Sequence, residues 1–127
     1  MVASGTPKTV LLVDDNPTIL ETTSLFLRAR GVHVVAVDTA LGVTALVLRH
    51  HPDVVVLDVM MPALDGGALA AIIHGKKDLR AIPIIFYSAM EEEQLHRLTA
   101  KVPGSTYVAK ADGLEALHSA ILAAGPT

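Results

Sequence analysis

Short runs in which every residue is apolar alternate along this chain with longer stretches whose apolar residues recur every three or four positions. Val10-Leu11-Leu12-Val13 is the first such run and ends in Asp14-Asp15. Pro17 suits a first helical turn and Asn16 suits its cap, so a helix is predicted to about Arg30, with Ile19, Leu20, Leu25, Phe26 and Leu27 as its apolar set. Gly31 is a natural stop. Residues 32–37 read as a second strand, and 39–50 as a second helix carrying Leu41, Ala45, Leu46 and Leu48, ended by Pro52. Val54-Val55-Val56-Leu57 is a third strand, again closed by a carboxylate, Asp58. A loop with Pro62 and Asp65-Gly66-Gly67 leads to a short helix over 68–74 and a polar break over 75–80. Residues 82–87 form a fourth strand ending at Ser88, with Pro83 tolerable only near its start. A polar helix over 91–101, a short strand over 106–109 ending at Lys110, and a last helix over 113–124 complete the pattern; Leu114, Leu117, Ile121 and Leu122 share a face of that last helix.

Strands separated by helices imply βαβ units and a parallel sheet. Runs one and three are apolar throughout, as strands covered on both faces must be. Runs two and five carry His33 and Thr106 and suit the edges. A doubly wound α/β sheet of order 2-1-3-4-5, with helices on both faces, satisfies these constraints and places the topological switch point between strands one and three.

In such a sheet ligands bind beyond the carboxyl ends of the strands, at the switch point. Those ends carry Asp14, Asp15, Asp58, Ser88 and Lys110. Taken singly, each has a plain reading: turn or cap for the aspartates and the serine, a solvated surface cation for the lysine. Together they deliver three carboxylates, a hydroxyl and an amine to one rim. Crowded carboxylates repel, and a hard divalent cation with oxygen ligands relieves that repulsion. A lysine and a hydroxyl beside such a cation match a phosphoryl group, and a carboxylate there can act as nucleophile toward it.

Composition narrows the field further. The chain has 127 residues, 13 acidic and 10 basic side chains, a formal net charge of −3 and 51% apolar residues. One domain fits, spanning residues 8–124 between a small polar N-terminus (1–7) and a tail or linker start (125–127). With no cysteine there is no disulfide framework, zinc thiolate or thiol nucleophile. The slightly acidic balance argues against direct nucleic-acid binding by this segment. No apolar run is long enough to cross a membrane, and a cytoplasmic location is expected. Aromatic residues are 3%, so the core is expected to be aliphatic.

Leu11-Leu12-Val13-Asp14-Asp15-Asn16, Val56-Leu57-Asp58-Val59-Met60-Met61-Pro62 with Asp65-Gly66, Tyr87-Ser88-Ala89, and Tyr107-Val108-Ala109-Lys110 resemble the motifs of the receiver domain of two-component response regulators, a flavodoxin-like fold. The resemblance implies that Asp58 accepts a phosphoryl group from a sensor histidine kinase or a histidine phosphotransfer protein. It implies that Asp15, Asp58 and the Met60 backbone carbonyl ligate Mg²⁺ (or Mn²⁺), with Asp14 acting through a metal-bound water. Ser88 and Lys110 would contact the phosphoryl oxygens, and Tyr107 would rotate inward as Ser88 shifts. The output partner is not readable; the implied output surface is the helix from Glu91, the fifth strand and the last helix. Self-phosphorylation without substrate turnover is expected. The alternatives are a phosphohydrolase with an aspartate nucleophile, which usually carries a second acid where this chain has Met60, and a degenerate receiver serving as a phosphorylation-independent interaction module. Periodicity in the last helix does not decide between monomer and homodimer.

Two departures stand out from that pattern. Ala111 follows Lys110 where most relatives have a proline, and a cis Lys-Ala bond would cost about 2.5–4 kcal/mol. Met60 and Met90 lie two residues after Asp58 and Ser88, positions that the resemblance places at the border of the hydrolytic water's path. Thioethers orient water poorly, which predicts slow self-dephosphorylation, although gap-filling is an equal reading of both methionines. The six histidines show no metal spacing convergent with the acidic rim.

Overall fold

The computed structural model describes residues 8–39, 42–58, 75 and 82–124. Five strands, β1 (Thr9–Val13), β2 (His33–Val37), β3 (Val54–Leu57), β4 (Ile84–Ser88) and β5 (Ser105–Ala109), form one parallel sheet of order β2-β1-β3-β4-β5. The described helices are α1 (Pro17–Ala29), α2 (Val43–His50), α3 (Glu92–Lys101) and α4 (Leu114–Ala123), with a 3₁₀ turn over Lys110–Asp112. The expected loop with Pro62 and Asp65, the helix over 68–74 and Met60 lie outside the described residues; Gly75, expected to begin a polar break, is helical.

The sheet divides the core in two. Leu11, Val13, Val55, Leu57, Ile84 and Phe86 pack on one side with Val43 and Val47 of α2 and Leu95 of α3. Val10, Leu12, Val54, Val56, Ile85 and Tyr87 pack on the other with Leu27 of α1 and Leu117 and Ile121 of α4. Every residue of β3 is buried, which is why that strand is apolar on both faces. The core is largely aliphatic, but its largest fully buried side chain is Phe86. Lys8, ahead of β1, donates its ammonium proton to the Ala124 carbonyl after α4, tying the two ends of the domain together.

The Asn16 side chain accepts from the backbone N–H groups of Thr18 and Ile19, and Pro17 occupies the first helical turn as expected. Gly31 has φ +83°, the left-handed turn that ends α1. Other boundaries and faces need correction. α2 begins at Val43, not Thr39, after Gly42 in a left-handed conformation. β4 begins at Ile84, because Pro83 supplies no N–H and contributes only its carbonyl, to Val55 N–H at 3.0 Å. In α1 the buried residues are Thr23, Ser24 and Leu27, while Leu25 is 59% exposed. Spacing from Leu20 through Ser24 to Leu27 keeps one stripe on the sheet, and Leu25 falls off it. Ser24 is accommodated because its hydroxyl donates to the Leu20 carbonyl at 2.7 Å. Leu48 of α2 and Leu122 of α4 likewise face outward.

Candidate functional site

The chain leaves β1, builds β2 on one side, then crosses back to build β3 on the other. That reversal opens a crevice above β1 and β3, and each of these strands ends in an aspartate. The Asp14 N–H donates to Val37 O at 3.2 Å and the Asp58 N–H to Val13 O at 3.1 Å, so both backbones are fixed by the ladder before their side chains leave it. One carboxylate oxygen from each of Asp14, Asp15 and Asp58 lies within 4.8 Å of the others. Asp14 and Asp58 are buried and Asp15 is exposed. The strand ends thus bring together the acidic trio that the sequence predicts.

Lys110 enters from the end of β5. Its ammonium donates to Asp14 Oδ2 at 2.9 Å and to Asp58 Oδ2 at 3.1 Å. No peptide bond among the described residues is cis, so the lysine reaches both carboxylates from a trans Lys110–Ala111 linkage. Burial pushes the Lys110 ammonium down, but its hydrogen bonds to Asp14 and Asp58 and their negative charge outweigh this and hold it above its ordinary value. Asp14 also accepts the Asn16 N–H at 2.9 Å, so a single carboxylate joins the lysine to the cap of α1. Among the described residues, three carboxylates share the rim with one ammonium. The donor set of hard carboxylate oxygens fits a Mg²⁺-class cation.

Ser88 is fully buried at the end of β4, in register with Ala109. Its hydroxyl oxygen accepts the Met90 N–H at 3.1 Å, which leaves its own proton free to donate. Met90 is half-buried and packs against the α2–α3 side of the core. Tyr107 packs on the same side, at the edge of the sheet, and takes no part in the acidic cluster.

Two participants carry no role in the sequence reading. The Tyr87 ring lies below Lys110, with Nζ 5.8 Å from its centroid, and lines a cavity of about 290 Å³ with Thr18, Thr22 and Leu114. Burial raises the Tyr87 phenol, and the nearby Lys110 charge only partly offsets this. Its place next to Ser88 on an apolar strand is a usable signal for such a wall. The other is His96, whose ring meets Tyr107 edge-on with centroids 6.4 Å apart and planes at 81°. Nothing in the helix-spaced pattern around His96 marks it.

The family model for the response regulator receiver domain matches residues 10–122. The probable transcriptional regulatory protein TcrX of Mycobacterium tuberculosis is 35% identical over 115 residues, covering 89% of this chain and 47% of that protein. The chain therefore spans about half the length of that relative. Protein PilG of Pseudomonas aeruginosa is 29% identical over 119 residues, 93% of this chain and 87% of that protein. Among solved structures, the chemotaxis protein CheY4 of Vibrio cholerae superimposes with a TM-score of 0.85 over 94% of this chain and 99% of that one; at 20% identity this is a likeness of fold. Among the described residues no helix is long and apolar enough to cross a membrane.

Proposed function

Because this chain belongs to the receiver domains of two-component response regulators, we propose that it accepts a phosphoryl group on Asp58 and thereby switches the surface it offers to an output partner. The donor is a phosphohistidine on a sensor histidine kinase or histidine phosphotransfer protein, and the exchange takes place in the cytoplasm. The observation that carries this reading is the buried Asp58 carboxylate, held 3.1 Å from Lys110 within the acidic trio.

An Asp58 oxygen attacks the phosphorus, a P–O bond forms, the P–N bond to the donor histidine breaks, and its electron pair returns to the imidazole. Asp14, Asp15 and Asp58 would hold the cation, Mg²⁺ or Mn²⁺, with the Met60 carbonyl as a further ligand outside the described residues. When bound, the cation supplies positive charge against the carboxylates and the phosphoryl oxygens. Lys110 exchanges its bond to Asp58 for one to a phosphoryl oxygen while keeping Asp14. Ser88 donates its hydroxyl proton to another such oxygen. Phosphorylation adds about −1.5 to −2 charge and three acceptor oxygens, contacts that exist only in the modified state, so it biases the loop after β4 and with it Tyr107. The protein modifies itself and turns over no separate substrate.

Incubation with acetyl phosphate and Mg²⁺ tests this. Intact mass should show one acid-stable, base-labile phosphoryl that maps to Asp58 and is lost in Asp58→Asn. No adduct would leave the domain as an interaction module, and continuous phosphate release from varied substrates would mark a phosphohydrolase.

A further inference from the structure

Tyr107 and Ala109 alternate onto the same face of β5, the face that carries Phe86 and Ser88 on the neighbouring strand. Next to them the structure opens a cavity of about 420 Å³, walled by Ser88, Ala89, Ala109 and Ala111, with Met90 and the acidic Glu91, Glu92 and Asp112 completing its lining. The part of the wall next to Tyr107 and Ser88 is made by the short side chains of Ala89, Ala109 and Ala111, and the volume has room for an aromatic ring beside the Ser88 hydroxyl. The Tyr107 ring is not among its walls; it lies instead edge-to-face with His96.

His96 is well placed to decide between these positions. Leu95, beside it in sequence, is fully buried and locks the rotation of α3 on the sheet. His96 is itself exposed, and among the described residues Tyr107 is the one ring against it. Centroid separation and angle fall in the favourable range for aromatic pairs. We propose that His96 is a positioning residue that holds Tyr107 in its outward rotamer, and that losing this contact releases the ring into the cavity beside Ser88. The receiver reading enters only in the meaning given to that movement, as the step that changes the output face. The strength of one edge-to-face pair corresponds to roughly a two- to tenfold change in the ratio of outward to inward rotamers. That is enough to bias a switch and too little to set the fold.

The chain has two tyrosines, so 3-fluorotyrosine labelling gives two ¹⁹F resonances, assigned with Tyr87→Phe. In the free protein, His96→Ala should reduce the solvent isotope shift of the Tyr107 resonance, as the ring leaves water, and move its position. His96→Phe should restore the wild-type values, while the thermal midpoint of all three proteins stays alike. A Tyr107 resonance in His96→Ala that matches wild type in both position and isotope shift overturns the proposal. Adding beryllium fluoride with Mg²⁺ then tests the receiver reading by itself. That reading fails if neither resonance of the wild type moves, whereas the His96 comparison is decided without the mimic.

Discussion

With its ammonium 2.9 Å from Asp14 Oδ2 and 3.1 Å from Asp58 Oδ2, Lys110 separates two nearly buried carboxylates. Lys110→Ala removes the ammonium that both carboxylates face. The expected cost at neutral pH without divalent cation is about 3 kcal/mol, read from urea unfolding, and Mg²⁺ should recover part of it. The same contacts set an alkaline limit. Lys110 and Tyr87 both titrate above their ordinary values of 10.5 and 10.0. A group raised on folding stabilises the native state below its ordinary value and loses that contribution as pH climbs through the folded value. Stability should hold up to about pH 10 and then fall, with a shallower fall in Lys110→Met; an unchanged slope in the variant would assign the loss elsewhere. Met90 gives a kinetic prediction. Its backbone N–H is bonded to Ser88 and its side chain packs on the core, so it offers no polar group to orient water. The Asp58 phosphoryl group, followed by intact mass after donor removal, should persist well beyond seconds, and Met90→Glu should shorten its life.

At the scale of elements, the helix faces separate packing from hydrophobicity. Leu25 and Leu27 are equally apolar neighbours in α1, yet one is 59% exposed and the other fully buried. Leu27→Ala should cost about 3 kcal/mol in unfolding free energy, and Leu25→Ala less than about 0.5 kcal/mol. Equal losses would mean that the α1 stripe lies elsewhere. The strands were easier to read than the helices. A run such as Val54 to Leu57 has no exposed face, so its composition alone reveals its position in the sheet. A helix face must be inferred from spacing, and Thr23 and Ser24 blur it because they are polar residues on the buried stripe. α2 starts later than its apolar spacing suggests for a related reason: the periodic signal around residue 41 does not show that Gly42 adopts φ +76°, outside the helical region.

For the whole molecule, the crevice couples a site to the fold. Three carboxylates gathered on one rim repel one another, and a bound cation would relieve that repulsion. At a hundredfold excess of Mg²⁺ over its dissociation constant the gain should be about 2.7 kcal/mol if only the folded state binds. The thermal midpoint should therefore rise with Mg²⁺, and the rise should shrink in Asp15→Asn; a midpoint indifferent to Mg²⁺ would contradict an intact acidic pocket. Because β1 and β3 both stop at the switch point, the site depends on sheet order and not on any one loop.

Strand identity, sheet order and the rim residues Asp14, Asp15, Asp58, Ser88 and Lys110 follow from the sequence, because burial on both faces and parallel crossovers leave few arrangements for such a pattern. Folding alone decided that Lys110 bridges Asp14 and Asp58 from a trans linkage, that Tyr87 forms its wall, and that His96 meets Tyr107. Those contacts join side chains on different elements, and periodicity, which tells which face a residue takes, does not tell which side chain of a neighbouring element it meets there.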